Sequence, residues 1–297
     1  MSYSLKGNAE ITMKRLLMIP GLMLHISVFI WPYDKNGILA INNRLDLSAR
    51  SIPFPEYSEE LEITKSKQNT PMDTTLNAQV YKVSKLKKPM KIDGDWNKAQ
   101  WKNIETIRIE KNMGKIPKFQ PKVEAKMMYD DDNVYVIFRV KDRFVQSTVQ
   151  EYNGSVSENS CVEFFFSPDT AFPLRYFNLE INAGGTPLIY YITQPRKEYK
   201  ALENNEIKQI EIAHSLPKKV DPEITEPVTW VIEYRLPLSI LKKYSNITQP
   251  APGVTWKGNF YKTGSKTSNP NYLTWSFVDN PTPDFHLPRF FGTLKFQ

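Results

Sequence analysis

The sequence predicts an all-β chain, a β-sandwich of two antiparallel sheets of the jelly-roll or immunoglobulin-like kind with one short helix, and three observations carry that expectation. First, 22 prolines, 15 tyrosines, 16 phenylalanines and 6 tryptophans stand beside only 12 glycines, a balance that favours half-buried strands broken by turns. Second, apolar residues alternate with period two rather than recurring at helical spacing. Third, turn signals separate the alternating runs, less evenly than a barrel would space them. With 297 residues, 40% of them hydrophobic, the chain has enough apolar surface for a sizeable core.

Taken in order, residues 1–31 read as an export-signal region. Met13-Lys14-Arg15 supplies a basic start and Leu16 to Trp31 an apolar stretch interrupted by Pro20 and Gly21, somewhat short for a transmembrane helix. Met13 is then an alternative true start, and an uncleaved membrane anchor the alternative role. The expected location is secreted, periplasmic or at the cell surface. Residues 32–77 are polar and weakly periodic, with prolines at 53, 55 and 71 and the acidic group Glu56, Glu59, Glu60 and Glu62; they read as a linker or arm. One domain is expected over 78–297.

Within it, residues 123–128 lead through Asp130-Asp131-Asp132-Asn133 into 134–140, a hairpin. Residues 161–166, 175–181, 188–193, 228–236, 255–262 and 272–277 add six strands, and Gly184-Gly185 marks a tight connection. Pro237 introduces the expected helix at 238–243.

Composition narrows the function. The net charge is +7, of which Lys6, Lys14 and Arg15 against Glu10 place +2 near the start, and no long basic run occurs, so a nucleic-acid partner is not expected. Cys161 is the single cysteine, which excludes an intramolecular disulfide and a cysteine-based zinc site; its apolar setting predicts a buried, inert thiol. No nucleophile elbow, P-loop, dinucleotide fingerprint or His-Glu-x-x-His helix is present. Haem ligation by Met127, Met128, His214 or His286 is not expected either. Glu163, Glu180 and Glu233 fall in strands, with Glu163 and Glu180 able to neighbour each other across a sheet; a glycoside hydrolase using that pair is the alternative to a binding role. The triple aspartate 130–132 suits a hairpin turn better than calcium, so no cofactor is expected.

Sugar binding needs flat aromatic faces flanked by hydrogen-bonding side chains, and the last third of the chain holds them densely: Asn259, Tyr261, Tyr272, Trp275, Phe285 and His286. Alternation in 256–262 puts Trp256 and Phe260 on the core face, Asn259 and Tyr261 on the other.

These residues also carry a resemblance. Ile92-Asp93-Gly94 with Trp101, Tyr129 to Val136, Val162 to Phe166, Phe177 to Asn182, Trp230 to Leu241, Gly258 to Lys262, Trp275-Ser276 and Phe285 to Gly292 come in the order found in the family 9 carbohydrate-binding modules, over about 78–297. The resemblance implies a non-catalytic β-sandwich that binds a polysaccharide or oligosaccharide end and is attached in relatives to xylan-degrading enzymes. Its binding glutamate falls on Glu163, its arginine on Asn178, its glutamine on Tyr261 and one of two clamping tryptophans on Phe285. The other tryptophan falls near Ser157, with Tyr152 or Tyr272 as replacements. The expected ligand site is Glu163, Asn178, Asn259, Tyr261, Tyr272, Trp275, Phe285 and His286, on a monomer working beside other polysaccharide-degrading proteins. A surface protein-docking sandwich is the remaining alternative.

Overall fold

The computed structural model describes residues 18–19, 22–23 and 79–297, and the chain divides into two units, Met1–Gln68 and Asn69–Gln297. In the first unit β1 (Met18–Ile19) pairs antiparallel with β2 (Leu22–Met23). The remainder of the expected signal region and the arm at 32–77 lie outside the described residues. Among the described residues no helix is long and apolar enough to cross a membrane.

The second unit begins with β3 (Val80–Lys85), α1 (Ala99–Lys102), β4 (Ile107–Ile109), β5 (Lys111–Asn112), β6 (Lys122–Tyr129), β7 (Asn133–Asp142) and β8 (Val145–Ser147). There follow β9 (Cys161–Ser167), β10 (Tyr176–Asn182), β11 (Pro187–Gln194), β12 (Glu198–Ala201), α2 (Asn204–Ile207), β13 (Glu211–His214) and β14 (Val220–Ile224). The chain closes with β15 (Val228–Pro237), α3 (Leu238–Leu241), β16 (Thr255–Thr263), β17 (Tyr272–Thr274) and β18 (Gly292–Phe296). The all-β expectation holds. One 14-stranded sheet runs β12-β11-β10-β9-β16-β18-β3-β6-β7-β15-β13, with β17, β5 and β4 attached to its flanks, and β14 with β8 forms a small second sheet.

Two features depart from the sequence expectation. The pairing is not wholly antiparallel, because β3 lies parallel to both β18 and β6 and so joins what would otherwise be separate sheets. Among the described residues three single-turn α-helices occur instead of one, since four residues are too few for the 3.6-residue period to show in a sequence. One of them, α2, is held by a capping box between Glu203 and Glu206, which satisfies two N–H groups that a helix start otherwise leaves unpaired.

Local chemistry explains the elements that frame the site. In the β6–β7 turn the Asp130 carboxylate accepts the N–H groups of Asp132 and Asn133 at 2.9 and 2.7 Å and the Tyr135 hydroxyl at 2.5 Å, while Asp131 pairs with Lys85 at 2.6 Å. Turn formation accounts for Asp130, and the ion pair with Lys85 for Asp131. Between β10 and β11, a Cβ on Gly184 would stand 2.0 Å from the Lys218 carbonyl oxygen, and Gly185 has a φ of +82°; only glycine meets both demands. Across the main core, Phe164 stacks on Phe166 and Phe260 with ring centroids 4.6 and 4.5 Å apart. Phe138 of β7 lies 6.0 Å from Phe260 of β16, so the curled sheet brings its two halves onto one core, where Trp230 and Trp256 are also buried.

A second anchor is polar. Glu233, fully buried on β15, accepts the N–H groups of Asp93 and Gly94 at 2.9 and 2.7 Å, the Lys98 ammonium at 2.8 Å and the Trp101 indole N–H at 2.8 Å. Four donors on one carboxylate offset the cost of burying it. The motif of Asp93, Gly94 and Trp101 therefore ties residues 93–101 to β15 and is structural.

Candidate functional site

Strand alternation builds the site on the face of the sheet opposite the main core. In β9, Val162, Phe164 and Phe166 enter the core, leaving Cys161, Glu163 and Phe165 on the other face. In β10, Phe177, Leu179 and Ile181 enter the core, leaving Tyr176, Asn178 and Glu180. Antiparallel register sets Glu163 opposite Glu180 on one side and Tyr261 of β16 on the other. The cross-sheet neighbourhood that the sequence allows for the two glutamates is thus present.

The segment after β17 folds over this face. Phe285 stacks on Tyr261 with centroids 4.2 Å apart and planes 14° from parallel, and the Tyr261 hydroxyl donates to the Phe285 carbonyl at 3.3 Å. Tyr272 meets Phe285 nearly edge-on, 6.2 Å away at 69°. Nδ1 of His286 lies 2.7 Å from the Tyr176 hydroxyl. Asp284 accepts the His286 N–H at 2.9 Å and pairs with Arg196 at 2.5 Å, clipping the β11–β12 hairpin to the covering segment.

Between sheet and cover lies a cavity of about 160 Å³ lined by Ser157, Glu163, Phe165, Glu180, Arg196, Thr263, Ser265, Tyr272, Pro283, Asp284, Phe285 and His286. Pockets for drug-sized ligands measure roughly 300–1,000 Å³, so this one suits about one sugar ring. Of the eight expected site residues, Glu163, Tyr272, Phe285 and His286 line it. Asn178 stands one layer back, donating to Glu180 Oε1 at 2.8 Å and accepting the Tyr190 N–H at 3.2 Å. Tyr261 is wholly buried beneath Phe285, where it supports the ring.

Two expected residues stand outside the arrangement. Asn259 is fully buried and spends its amide on the backbone, donating to the Ser276 carbonyl at 3.0 Å and accepting the N–H groups of Phe260 and Ser276. Trp275 belongs to the main core, edge-on to Phe260 at 5.9 Å and against Gly292, where a Cβ would meet its ring at 2.5 Å. The β16 alternation that separated Asn259 from the core said nothing of the loop that covers it. The exposed Tyr152 is not among the lining residues, and Ser157 and Tyr272 are.

Arg196, Thr263, Ser265 and Asp284 were not anticipated. Asp284 directly precedes Phe285, which is a signal of sorts. Arg196 is brought in by a hairpin turn with φ at +63°, for which its sequence offers no cue.

The electrostatics of the cavity centre on the paired glutamates. Burial, then the neighbouring Glu180 charge, push Glu163 well above the usual carboxylate range, against the pull of Lys262. Burial raises Glu180 to about 7, opposed by the Asn178 hydrogen bond and by Arg196. Glu163 is 2% exposed and its Oε1 has no hydrogen-bond partner. Burial and Arg196 lower His286 to about 4, so its imidazole is neutral at pH 7. The cavity therefore offers hydrogen-bond donors and acceptors beside a ring edge, in a low-dielectric setting that strengthens each of them.

Comparison with known proteins places these features in a family. A family model described as carbohydrate-binding family 9 matches residues 88–296. A crystal structure from Bacteroides uniformis ATCC 8492, provisionally named a carbohydrate-binding protein, is 27% identical with a TM-score of 0.67, covering 74% of this chain and 100% of that one. A family 9 module from Caldicellulosiruptor kristjanssonii in complex with cellotriose is 17% identical with a TM-score of 0.49, covering 74% of this chain and 94% of that one. The same module with glucose is 19% identical with a TM-score of 0.46, covering 74% and 96%. No curated protein matches.

Proposed function

The chain belongs to carbohydrate-binding family 9 and is a non-catalytic sugar-binding module, and from that premise we propose that the cavity between β9, β10 and the segment 283–286 takes up the terminal ring of a polysaccharide or oligosaccharide. The observation that carries this reading is the Glu163 carboxyl, buried and with an unpartnered Oε1 at the cavity wall. A buried polar atom without a partner is costly, and a sugar hydroxyl is a fitting partner. Phe285 and Tyr272 supply the apolar side, and their edge-on arrangement is not a parallel clamp, so the polar groups carry more of the recognition. The hydrolase alternative gives way to the binding role, in which Glu163 and Glu180 act as hydrogen-bonding groups.

Calorimetry with a glycan panel tests the site. Glucose- or xylose-ended oligosaccharides should bind the parent protein, and Phe285→Ala and Glu163→Gln should each weaken binding at least tenfold. Unchanged affinity in both folded variants would move the site elsewhere.

The wider reading follows from the same premise. The basic-then-apolar region at 1–31 supports export to a secreted, periplasmic or surface location, with 32–77 as a tether and 78–297 as the binding module. The shared core of the two sheet halves supports a sandwich of two facing sheets. A monomer acting beside xylan-degrading or other polysaccharide-degrading proteins, with no cofactor, completes the proposal. Mass measurement of the exported chain's N-terminus checks the first of these points.

A further inference from the structure

We propose that the preferred terminal sugar carries a free amino group, protonated and seated between Glu163 and Glu180, as in a glucosamine-ended chain. This deepens the site assignment above and rests on it. Three carboxyls and one guanidinium line the cavity, which leaves a formal charge of −2 (three negative, one positive) when all are ionised. The cations within reach are committed. Arg196 is paired with Asp284 at 2.5 Å, and Lys262, fully buried, is held by Asp142 at 3.2 Å, the Thr263 carbonyl at 2.9 Å and Asn271 Oδ1 at 3.1 Å. Glu163 and Glu180 face each other across adjacent strands, are 2% and 6% exposed, and have between them one hydrogen bond, from Asn178.

An adjacent pair of buried carboxyls stays partly protonated where its charges are compensated only in part. Lys262 and Arg196 pull Glu163 and Glu180 down without overcoming burial, each cation being shared with another carboxylate, and the other titratable groups around the pair add no positive charge: Cys161 and Tyr261 are buried neutral groups, His286 is neutral at pH 7 and Asp284 is already paired. An alkylammonium has three N–H donors and a single positive charge, which matches two adjacent carboxyls in both number and sign. A neutral hydroxyl would satisfy Oε1 of Glu163 and leave the charge repulsion untouched. Binding an ammonium would instead favour both ionised forms and expel the protons they hold.

Titration calorimetry of the full chain with glucosamine, glucose and N-acetylglucosamine at pH 7, repeated in phosphate and Tris, decides the matter. Glucosamine should bind at least tenfold tighter than the other two, with an apparent enthalpy that depends on buffer because about half a proton or more is released per ligand. Acetylation should abolish the advantage. Glucose binding equal to glucosamine, without proton release, overturns this inference while leaving the sugar-binding site intact. Binding of none of the three overturns both. The Glu180→Gln variant, checked for folding by circular dichroism, should lose the glucosamine preference; if it keeps the preference in full, the ammonium sits elsewhere and the inference fails.

Discussion

Replacing Glu180 with glutamine isolates the electrostatic cost of the buried pair from its shape. The amide oxygen still accepts the Asn178 N–H that reaches Glu180 Oε1 at 2.8 Å, and the titration is gone. In the parent protein burial, opposed by Asn178 and Arg196, raises this carboxyl from 4.5 to about 7. A tenfold change in proton affinity corresponds to about 1.4 kcal/mol, so ionised Glu180 disfavours the folded state by about 3 kcal/mol. The sign follows from proton counting. Between these two values the folded chain binds more protons than the unfolded one, so stability falls as pH rises; the penalty is absent below pH 4.5 and complete above about pH 7. Urea unfolding of both proteins at about pH 4.5 and about pH 8 reads the difference, since the groups outside the pair titrate in both and Glu163, relieved of the Glu180 charge in the variant, shifts in the direction that adds to the difference. The parent should lose about 3 kcal/mol more than Glu180→Gln over that interval, or about 6–12 °C in Tm for a domain of this size. Parallel pH profiles would show that the pair is solvated and would remove the electrostatic basis of the site.

Glu233→Ala leaves the Trp101 indole and two backbone N–H groups without their acceptor, while Lys98 keeps Asp93 at 2.5 Å and the Lys91 carbonyl at 2.6 Å, and the three unpaired donors should cost about 3–5 kcal/mol in chemical denaturation; a loss under about 1 kcal/mol would mean water replaces the carboxylate. His286, lowered to about 4 by burial and Arg196, should show no imidazole titration midpoint by NMR between about pH 5 and 8. Its depressed value makes stability fall as pH drops from 6.5 toward 4, because only the unfolded chain takes up the proton there; a midpoint near 6.5 contradicts its burial. Cys161, fully buried and with its thiol pushed up by burial, should resist a thiol reagent in the native protein and react completely in denaturant, whereas prompt native labelling would place it at an open surface. Phe285→Ala removes the ring stacked on Tyr261, worth about 0.5–1.5 kcal/mol beyond its buried area, and should lower Tm as well as sugar affinity; a change in neither would mean that the ring packs against nothing.

The amino-acid order by itself determined what depends on neighbours along the chain. Period-two alternation marked β6, β7, β9, β10, β11, β15 and β16 within a residue or two of their ends, and glycine and aspartate chemistry marked the turns after β6 and β10. It also put Glu163 and Glu180 in strands that could neighbour each other, while the register that sets them opposite is seen only in the fold. Short elements such as α1, α2, β4 and β5 escaped, since two to four residues hold no measurable period. What only the tertiary structure decided is which side chains meet across long separations. The parallel bridge through β3 joins residues distant in sequence. The covering segment near 285 sent Tyr261 beneath Phe285 and brought Asp284 to Arg196, 88 residues away, and the backbone at Ser276 took up the Asn259 amide. Alternation assigns each residue a face; whether that face meets water, another ring or an open cavity depends on the loop that crosses it, and the loop's path is set by packing that no local pattern encodes.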